Sequence, residues 1–367
     1  MKKMNVLKKY MCAALAVVMV LGLTACGGNT QSEEETEEPV VEETPVEEEV
    51  LAEPDVTMKV AAMTGPTGMG LVKMMYEAGM APAEGNEAVS VESLNQTEAG
   101  SQAYEFLLAG TADEISPLLI KGELDAACVP ANLASVLYNK TEGEIVTLGI
   151  NTLGVIYVVD KGDSIQSLED LKGKTVVSAG KGSVPEYGFR YVLAQNGIDP
   201  DKDLTIEWKS EQAECVAALA SGAAEIAVMP QPYVTVAQGK VEGLRVALSL
   251  TEEWEKLDNG SAMLTGVVVA RKSFIEEHPA AIEAFMNDYA VSVEWVNSNV
   301  ADAASLIGNY GIVAAAVAEK ALPYCNIVCI TGAEMQEMLS GYLAALAEQA
   351  PQAVGGAVPN DDFYFVG

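Results

Sequence analysis

Thr175-Val176-Val177-Ser178-Ala179-Gly180-Lys181-Gly182-Ser183-Val184-Pro185-Glu186-Tyr187 is the stretch on which the fold turns. A β-branched run leads into a glycine pair, and an amphipathic segment follows. Tyr187, Tyr191 and Ala194 recur at helical spacing, and Asn196-Gly197 makes a stop. Ser183 stands where an N-cap belongs, and Pro185 falls in the first turn, where a missing N–H costs nothing. Strand, glycine loop and helix start together aim unpaired N–H groups and the helix dipole at one point, as an anion cradle does. The same order also joins strands to helices for purely structural reasons, so both readings stand at this stage.

The device occurs twice. Val56 to Met63 reads as a strand, Thr64-Gly65-Pro66-Thr67-Gly68 as the loop, and Leu71, Met74, Met75 and Ala78 as a helical stripe. A second motif is also duplicated. Gly122-Glu123-Leu124-Asp125-Ala126-Ala127-Cys128-Val129-Pro130 and Gly222-Ala223-Ala224-Glu225-Ile226-Ala227-Val228-Met229-Pro230 each carry glycine, an acid three residues on, an apolar strand and a closing proline. Further strands are expected at 88–94, 145–149, 154–159, 204–208 and 264–270. Helices are expected at 115–119, from 131, and at 211–221, 274–296, 301–320 and 332–349. The expectation is an α/β chain of two lobes, each a mostly parallel sheet flanked by helices. In such sheets ligands bind outside the carboxyl ends of the strands.

The amino-terminal part differs in kind. Lys2, Lys3, Lys8 and Lys9 precede an apolar run, Met11 to Leu23, too short for a flanked membrane span. Leu23-Thr24-Ala25-Cys26 then resembles a lipobox, which implies cleavage before Cys26 and lipid on its thiol; an ordinary secretory signal is the alternative. Residues 27–56 hold twelve acidic residues and no lysine, arginine or aromatic, the composition of an extended, self-repelling tether. Setting aside the four signal lysines and those twelve acids, the 21 basic and 53 acidic residues of the whole chain leave 17 against 41. That balance argues against nucleic acid and an anionic membrane surface as partners. Cys128, Cys215, Cys325 and Cys329 lack CxxC pairing and read as free core residues. Cys325 and Cys329 could pair only through a turn, since an extended chain puts their Cα atoms beyond the disulfide limit of about 7 Å.

From Leu168-Glu169-Asp170-Leu171-Lys172-Gly173-Lys174-Thr175-Val176 onward the chain resembles a known family. Gly180 to Ser183, Leu219-Ala220-Ser221-Gly222, Met229-Pro230-Gln231-Pro232-Tyr233, and Val268-Val269-Ala270 followed by Phe274-Ile275-Glu276-Glu277-His278-Pro279 occur in the family's order. It is similar to the substrate-binding lipoproteins of bacterial ABC importers, in the nitrate, sulfonate and taurine branch that includes thiamine-pyrimidine binders. The resemblance implies a periplasmic-binding-protein type II fold closing by hinge motion. It divides the chain into a signal peptide (1–25), a lipidated cysteine with its tether (26–56), one lobe from 57–155 plus 262–367, and a second from 156–261. It implies ligand contacts at Thr64, Gly65, Thr67, Gly68, Pro130, Asn132, Gly182, Ser183, Gln231 and Tyr233. It further implies a small-molecule ligand, an ABC permease with its ATPase subunits, a membrane reached only through the lipid on Cys26, a monomeric state, and no cofactor or metal.

The sequence departs from sulfonate binders in having only three arginines, Arg190, Arg245 and Arg271. None stands where a bidentate clamp on an oxyanion would need it. An oxyanion held by backbone N–H groups and a neutral or heteroaromatic ligand stacked on Tyr187 or Tyr233 both stay open. So do two other functions: a sensing lipoprotein that feeds a receptor, and a pyrimidine-synthase-like enzyme. The enzyme reading lacks a base, because the only histidine, His278, precedes Pro279 at a helix start.

Overall fold

The computed structural model describes residues 56–94 and 102–366; Cys26, the signal segment and all of the tether but Val56 lie outside them. Among the described residues eleven strands run in chain order: β1 Thr57–Met63, β2 Ala103–Ala109, β3 Ala126–Pro130, β4 Ile145–Leu153, β5 Ile156–Lys161, β6 Thr175–Ala179, β7 Thr205–Lys209, β8 Ile226–Pro230, β9 Leu244–Ser249, β10 Leu264–Arg271 and β11 Ile327–Ile330. They form two sheets, ordered β11-β4-β10-β3-β1-β2 and β7-β6-β8-β5-β9.

The two sheets share a plan. In the first, β1 lies between β2 and β3 and parallel to both, and β10 runs antiparallel beside β3. In the second, β6 lies between β7 and β8 and parallel to both, and β5 runs antiparallel beside β8. The α/β class holds, but each sheet is mixed rather than mostly parallel. Of the antiparallel strands, β5 receives the chain when it passes to the second sheet and β10 when it returns, while β11 adds a further antiparallel edge to the first.

Side-chain alternation sets the layers. Val60 and Ala62 of β1 face a core with Met74, Phe285, Tyr289 and Leu306 from helices Val72–Glu77, Pro279–Ser298 and Val300–Asn309. Ala61 faces the other way, into a core with Val129, Val267 and Val269. That second core continues without a break into Val158, Val176 and Val228 of the other sheet. The join is aromatic. Tyr191 and Trp254 lie 4.5 Å apart, and Trp254 and Tyr342 of helix Gly332–Gln349 lie 5.4 Å apart, by ring centroids. Each such pair contributes about 0.5–1.5 kcal/mol beyond the area it buries. The Trp254 indole donates to Ser261 Oγ at 3.0 Å, so its polar edge is paired too.

Three expectations are corrected. Residues 88–94 form no strand. Asn86 Nδ2 donates to the Gly308 and Asn309 carbonyls, and Asn309 Nδ2 donates to the Glu87 carbonyl, so side chains tie this segment where a ladder was expected. The strand is β2, which had gone unread. The helix expected over 274–296 is two, Lys272–Glu277 and Pro279–Ser298, because Pro279 has no N–H to continue the first. The helix expected over 301–320 is also two, parted by Tyr310 to Ala314, where Gly311 sits at φ 72°. The four cysteines after Cys26 are free.

Two residues, Gly154 and Val155, separate β4 in one sheet from β5 in the other. The Gly154 carbonyl accepts from Asn326 Nδ2 at 2.6 Å, and the Val155 carbonyl accepts from the Gln231 N–H at 3.0 Å. A Cβ on Gly154 would lie 2.0 Å from Thr251 Oγ1 and 3.1 Å from Thr251 Cβ, which leaves room only for glycine. Gly154→Ala is therefore expected to cost about 1–3 kcal/mol in urea unfolding, the usual range for overpacking. Thr251→Ala in the same chain should restore part of the loss. Wild-type stability for Gly154→Ala would show that the crossover is not tightly packed.

Candidate functional site

Because β4 ends two residues before β5 begins, one edge of each sheet abuts the same crossover. On the first sheet that edge carries the ends of β1, β2 and β3 and the start of β10; Gly266 pairs with Pro130, and Leu264 with Leu153. On the second it carries the ends of β6, β7 and β8 and the start of β5, with Ile156 opposite Pro230. These are the carboxyl edges, where open α/β sheets take ligands. Chain connectivity thus sets Pro130 and Pro230, the ends of the duplicated motif, on either side of one crevice.

On the first rim, the Thr64 N–H donates to the Ala109 carbonyl at 2.9 Å, which ties the loop to β2. Gly65 adopts φ 151°, a conformation that L side chains rarely take, whereas a Cβ there would meet no atom within 4 Å, so glycine serves the turn and not the space around it. Gly68 is a glycine for another reason. A Cβ would press on the Met63 carbonyl at 2.7 Å, so its smallness serves packing on β1. Thr67 is nearly buried, with its methyl group against Gly266. Beneath it lies fully buried Asn151, whose Nδ2 donates to the Thr67 carbonyl at 3.4 Å and whose Oδ1 accepts from Thr152 Oγ1 at 2.9 Å. Asn151 thereby fixes the height of the loop. It was missed, although Asn151-Thr152 is a polar pair inside an apolar strand.

Asn132 follows Pro130 but turns away from the expected contact. Its Nδ2 donates to the Ala353 carbonyl at 3.2 Å, tethering the carboxyl-terminal segment, while its buried Oδ1 has no partner. Ser135 Oγ and Asn139 Nδ2 hold the neighbouring Val354 carbonyl from the same helix, at 2.7 and 2.8 Å.

On the second rim the expected cradle is present, and the chain's own acid fills it. The Gly182 N–H donates to Glu186 Oε2 at 2.7 Å, and the Ser183 N–H to the Gly180 carbonyl at 3.1 Å. Ser183 is the N-cap of helix Val184–Gln195, yet its side chain makes no cap bond. Ser183-x-x-Glu186 is a capping-box spacing that could have disclosed the carboxylate. Gln231 is 4% exposed, and its Oε1 accepts from the Thr235 hydroxyl at 2.9 Å and the Thr235 N–H at 3.3 Å, closing the start of the next helix. Tyr233 is half-buried; burial pushes its hydroxyl up, with Glu211 adding to the rise. Gln212, also unforeseen, donates from Nε2 to the Ala179 carbonyl at 3.4 Å and leaves Oε1 buried without a partner.

Every arginine is committed. Arg190 binds Glu186 at 3.4 Å and Asp201 at 2.6 Å. Arg245 binds Asp160 at 3.0 Å and the Gly162 and Ile165 carbonyls. Arg271 binds Asp125 at 2.9 Å and the Leu124 carbonyl at 3.0 Å. The last two stand at the start of β9 and the end of β10, the edges opposite the crevice. His278 follows β10 at that far edge too, so no imidazole stands near Ser183. Among the described residues, no group of three or more His, Cys, Asp or Glu side chains could hold a metal ion. Nor is any helix long and apolar enough to cross a membrane.

Residues 96–321 match the family described as ABC transporter, phosphonate, periplasmic substrate-binding protein. The chain belongs to that family. A Bacillus subtilis (strain 168) protein named as a binding protein, YtlA, is 29% identical over 133 residues, which are 36% of this chain and 38% of that one. The chain thus spans well under half the length of that relative. Among solved structures, an ABC transporter from Parabacteroides distasonis is similar over 84% of this chain and 99% of its own, with 21% identity and a TM-score of 0.67. The periplasmic aliphatic sulphonate binding protein SsuA from Escherichia coli is similar over 84% of this chain and 90% of its own, with 16% identity and a TM-score of 0.63. At such identities the likeness is one of fold.

Proposed function

We propose that this family member is the extracytoplasmic solute-capturing component of an ABC importer. It takes a small molecule between 57–155 plus 262–367 and 156–261, closes on it by hinge motion, and delivers it to a permease driven by ATPase subunits. The crossover carries this reading: Gly154-Val155 joins the carboxyl edges of two sheets, so one ligand can be reached from both. Thr64, Gly65, Thr67 and Pro130 on one rim, and Gly182, Ser183, Gln231 and Tyr233 on the other, are the proposed contacts. Gly68 and Asn132 support the fold around them. The protein works as a monomer without a cofactor, held to the membrane by lipid on Cys26 at the end of the 26–56 tether. The absence of an imidazole beside Ser183 favours binding over catalysis.

Small-angle scattering of the mature protein, with and without a metabolite extract of its host, tests the capture. The radius of gyration is expected to fall when a compound from the extract binds; binding without compaction, or no binding, would contradict hinge capture. For the anchor, Cys26→Ala is expected to abolish labelling by palmitate and to release the protein from membranes. Undiminished labelling would remove the lipobox reading.

A further inference from the structure

Resting on the crevice reading above, we propose that Gln212 is a specificity-determining contact that reads a proton on the ligand. The crevice then takes a tetrahedral oxyanion that keeps one hydrogen, such as a phosphonate monoanion, and passes over sulfonates, which have none to give. Gln212 opens helix Gln212–Ser221, and only Ser210 and Glu211 separate it from Lys209, the last residue of β7. Lys209 pairs with Ala179, the last residue of β6, so both strands end together at the crevice edge. The Gln212 carboxamide bridges those ends. Its Nε2 donates to the Ala179 carbonyl at 3.4 Å, at the foot of the Gly180 to Ser183 loop. That bond orients the amide, because a carbonyl can accept only from the nitrogen. Oε1 is left buried and without a partner among the described residues.

Buried polar atoms are ordinarily paired, so an oriented acceptor at a ligand edge calls for a donor that the ligand brings. The ligand in the family's description can bring one. A phosphate monoester gives up its second proton at about pH 6, and a phosphonate ionises in the same two steps, so the form with one P–O–H is at hand near neutrality. A sulfonate has already lost its single proton and presents only acceptors, which would face Oε1 lone pair to lone pair. A site built around a hydrogen bond rejects the analogue that cannot make it, because its own polar group stays unpaired. The facing edge offers a matching group. β10 pairs with β4 through Leu264 and Leu153, then through Gly266 and Thr152, so Thr265 is the extra residue of a bulge. It stands next to Gly266, which lies opposite Pro130, and its hydroxyl is buried without a partner. A hydroxyl can donate to an oxyanion oxygen. A donor on one rim and an acceptor on the other suit a ligand that carries both charge and a proton.

Calorimetric titration of the mature protein with methylphosphonate and methanesulfonate, across the second ionisation of the phosphonate, tests the assignment. Methylphosphonate is expected to bind at least a hundredfold more tightly than methanesulfonate at the acid end. Its affinity should then fall about tenfold per pH unit above that ionisation, as the monoanion is lost. Methanesulfonate keeps its charge throughout and so reports any titration of the protein's own groups at this corner, Lys181, Glu186, Lys209, Glu211 and Glu214. Gln212→Met keeps the length and removes the acceptor; it is expected to bring the two probes within about tenfold and to flatten the pH slope. Thr265→Val should weaken both probes alike, severalfold. Because an unpaired buried polar atom costs stability, the ligand-free Tm of both variants should stay or rise, where a purely structural role would lower it. Equal affinity for the probes, no binding of methylphosphonate, a flat pH profile in the wild type, or an undiminished preference in Gln212→Met would overturn the proposal. The importer reading fails separately. If extract compacts the protein and native mass spectrometry finds a ligand without a P–O–H, capture stands and the role of Gln212 falls; if methylphosphonate binds as expected without compaction, the reverse holds.

Discussion

Gly154 lies so near Thr251 that no side chain fits between them, and this approach governs how the two sheets meet. A longer link would let the edges drift apart. With two residues between β4 and β5, and their carbonyls taken by Asn326 and Gln231, the edges stay level with each other. The donors stand one beside each sheet, Asn326 just before β11 and Gln231 just after β8, so the crossover is held from both sides. Everything proposed for the crevice depends on that geometry.

The second constraint is the shared core. Tyr191, Trp254 and Tyr342 carry apolar packing from helix Val184–Gln195 across to helix Gly332–Gln349, behind the crossover. Gln349 Nε2 also donates to the Arg190 carbonyl, at 3.3 Å. A hinge flanked by such a contact turns about it, because separating the rings would expose fully buried Trp254 and Tyr342 to water. In the proposed capture, the hinge is thereby left free to open and close only the front of the crevice.

Much of this was legible in the residues. Cys128-Val129-Pro130 and Val228-Met229-Pro230 read correctly as strand ends because strands buried on both faces leave uninterrupted apolar runs. Gly180 to Ser183 read correctly as a loop feeding a helix. What sits in that loop did not, because an N–H aimed at an anion looks the same in sequence whether the anion is a ligand or Glu186. The strand expected at 88–94 failed for a related reason. Val89 and Val91 alternate as a strand should, and only the partners of Asn86 and Asn309, more than two hundred residues apart, decide otherwise. Asn132 is adjacent in sequence to the crevice, yet its amide answers to the carboxyl terminus, a contact that local spacing does not encode.

Hydrogen–deuterium exchange, with and without the extract compound that compacts the protein in scattering, tests the central claim that one ligand is held by both rims. Protection is expected together in the peptides covering 64–68 and 130–132 of the first rim and 180–187 and 231–235 of the second. Protection confined to one rim, or appearing only at the far edges around Arg245 and Arg271, would contradict it.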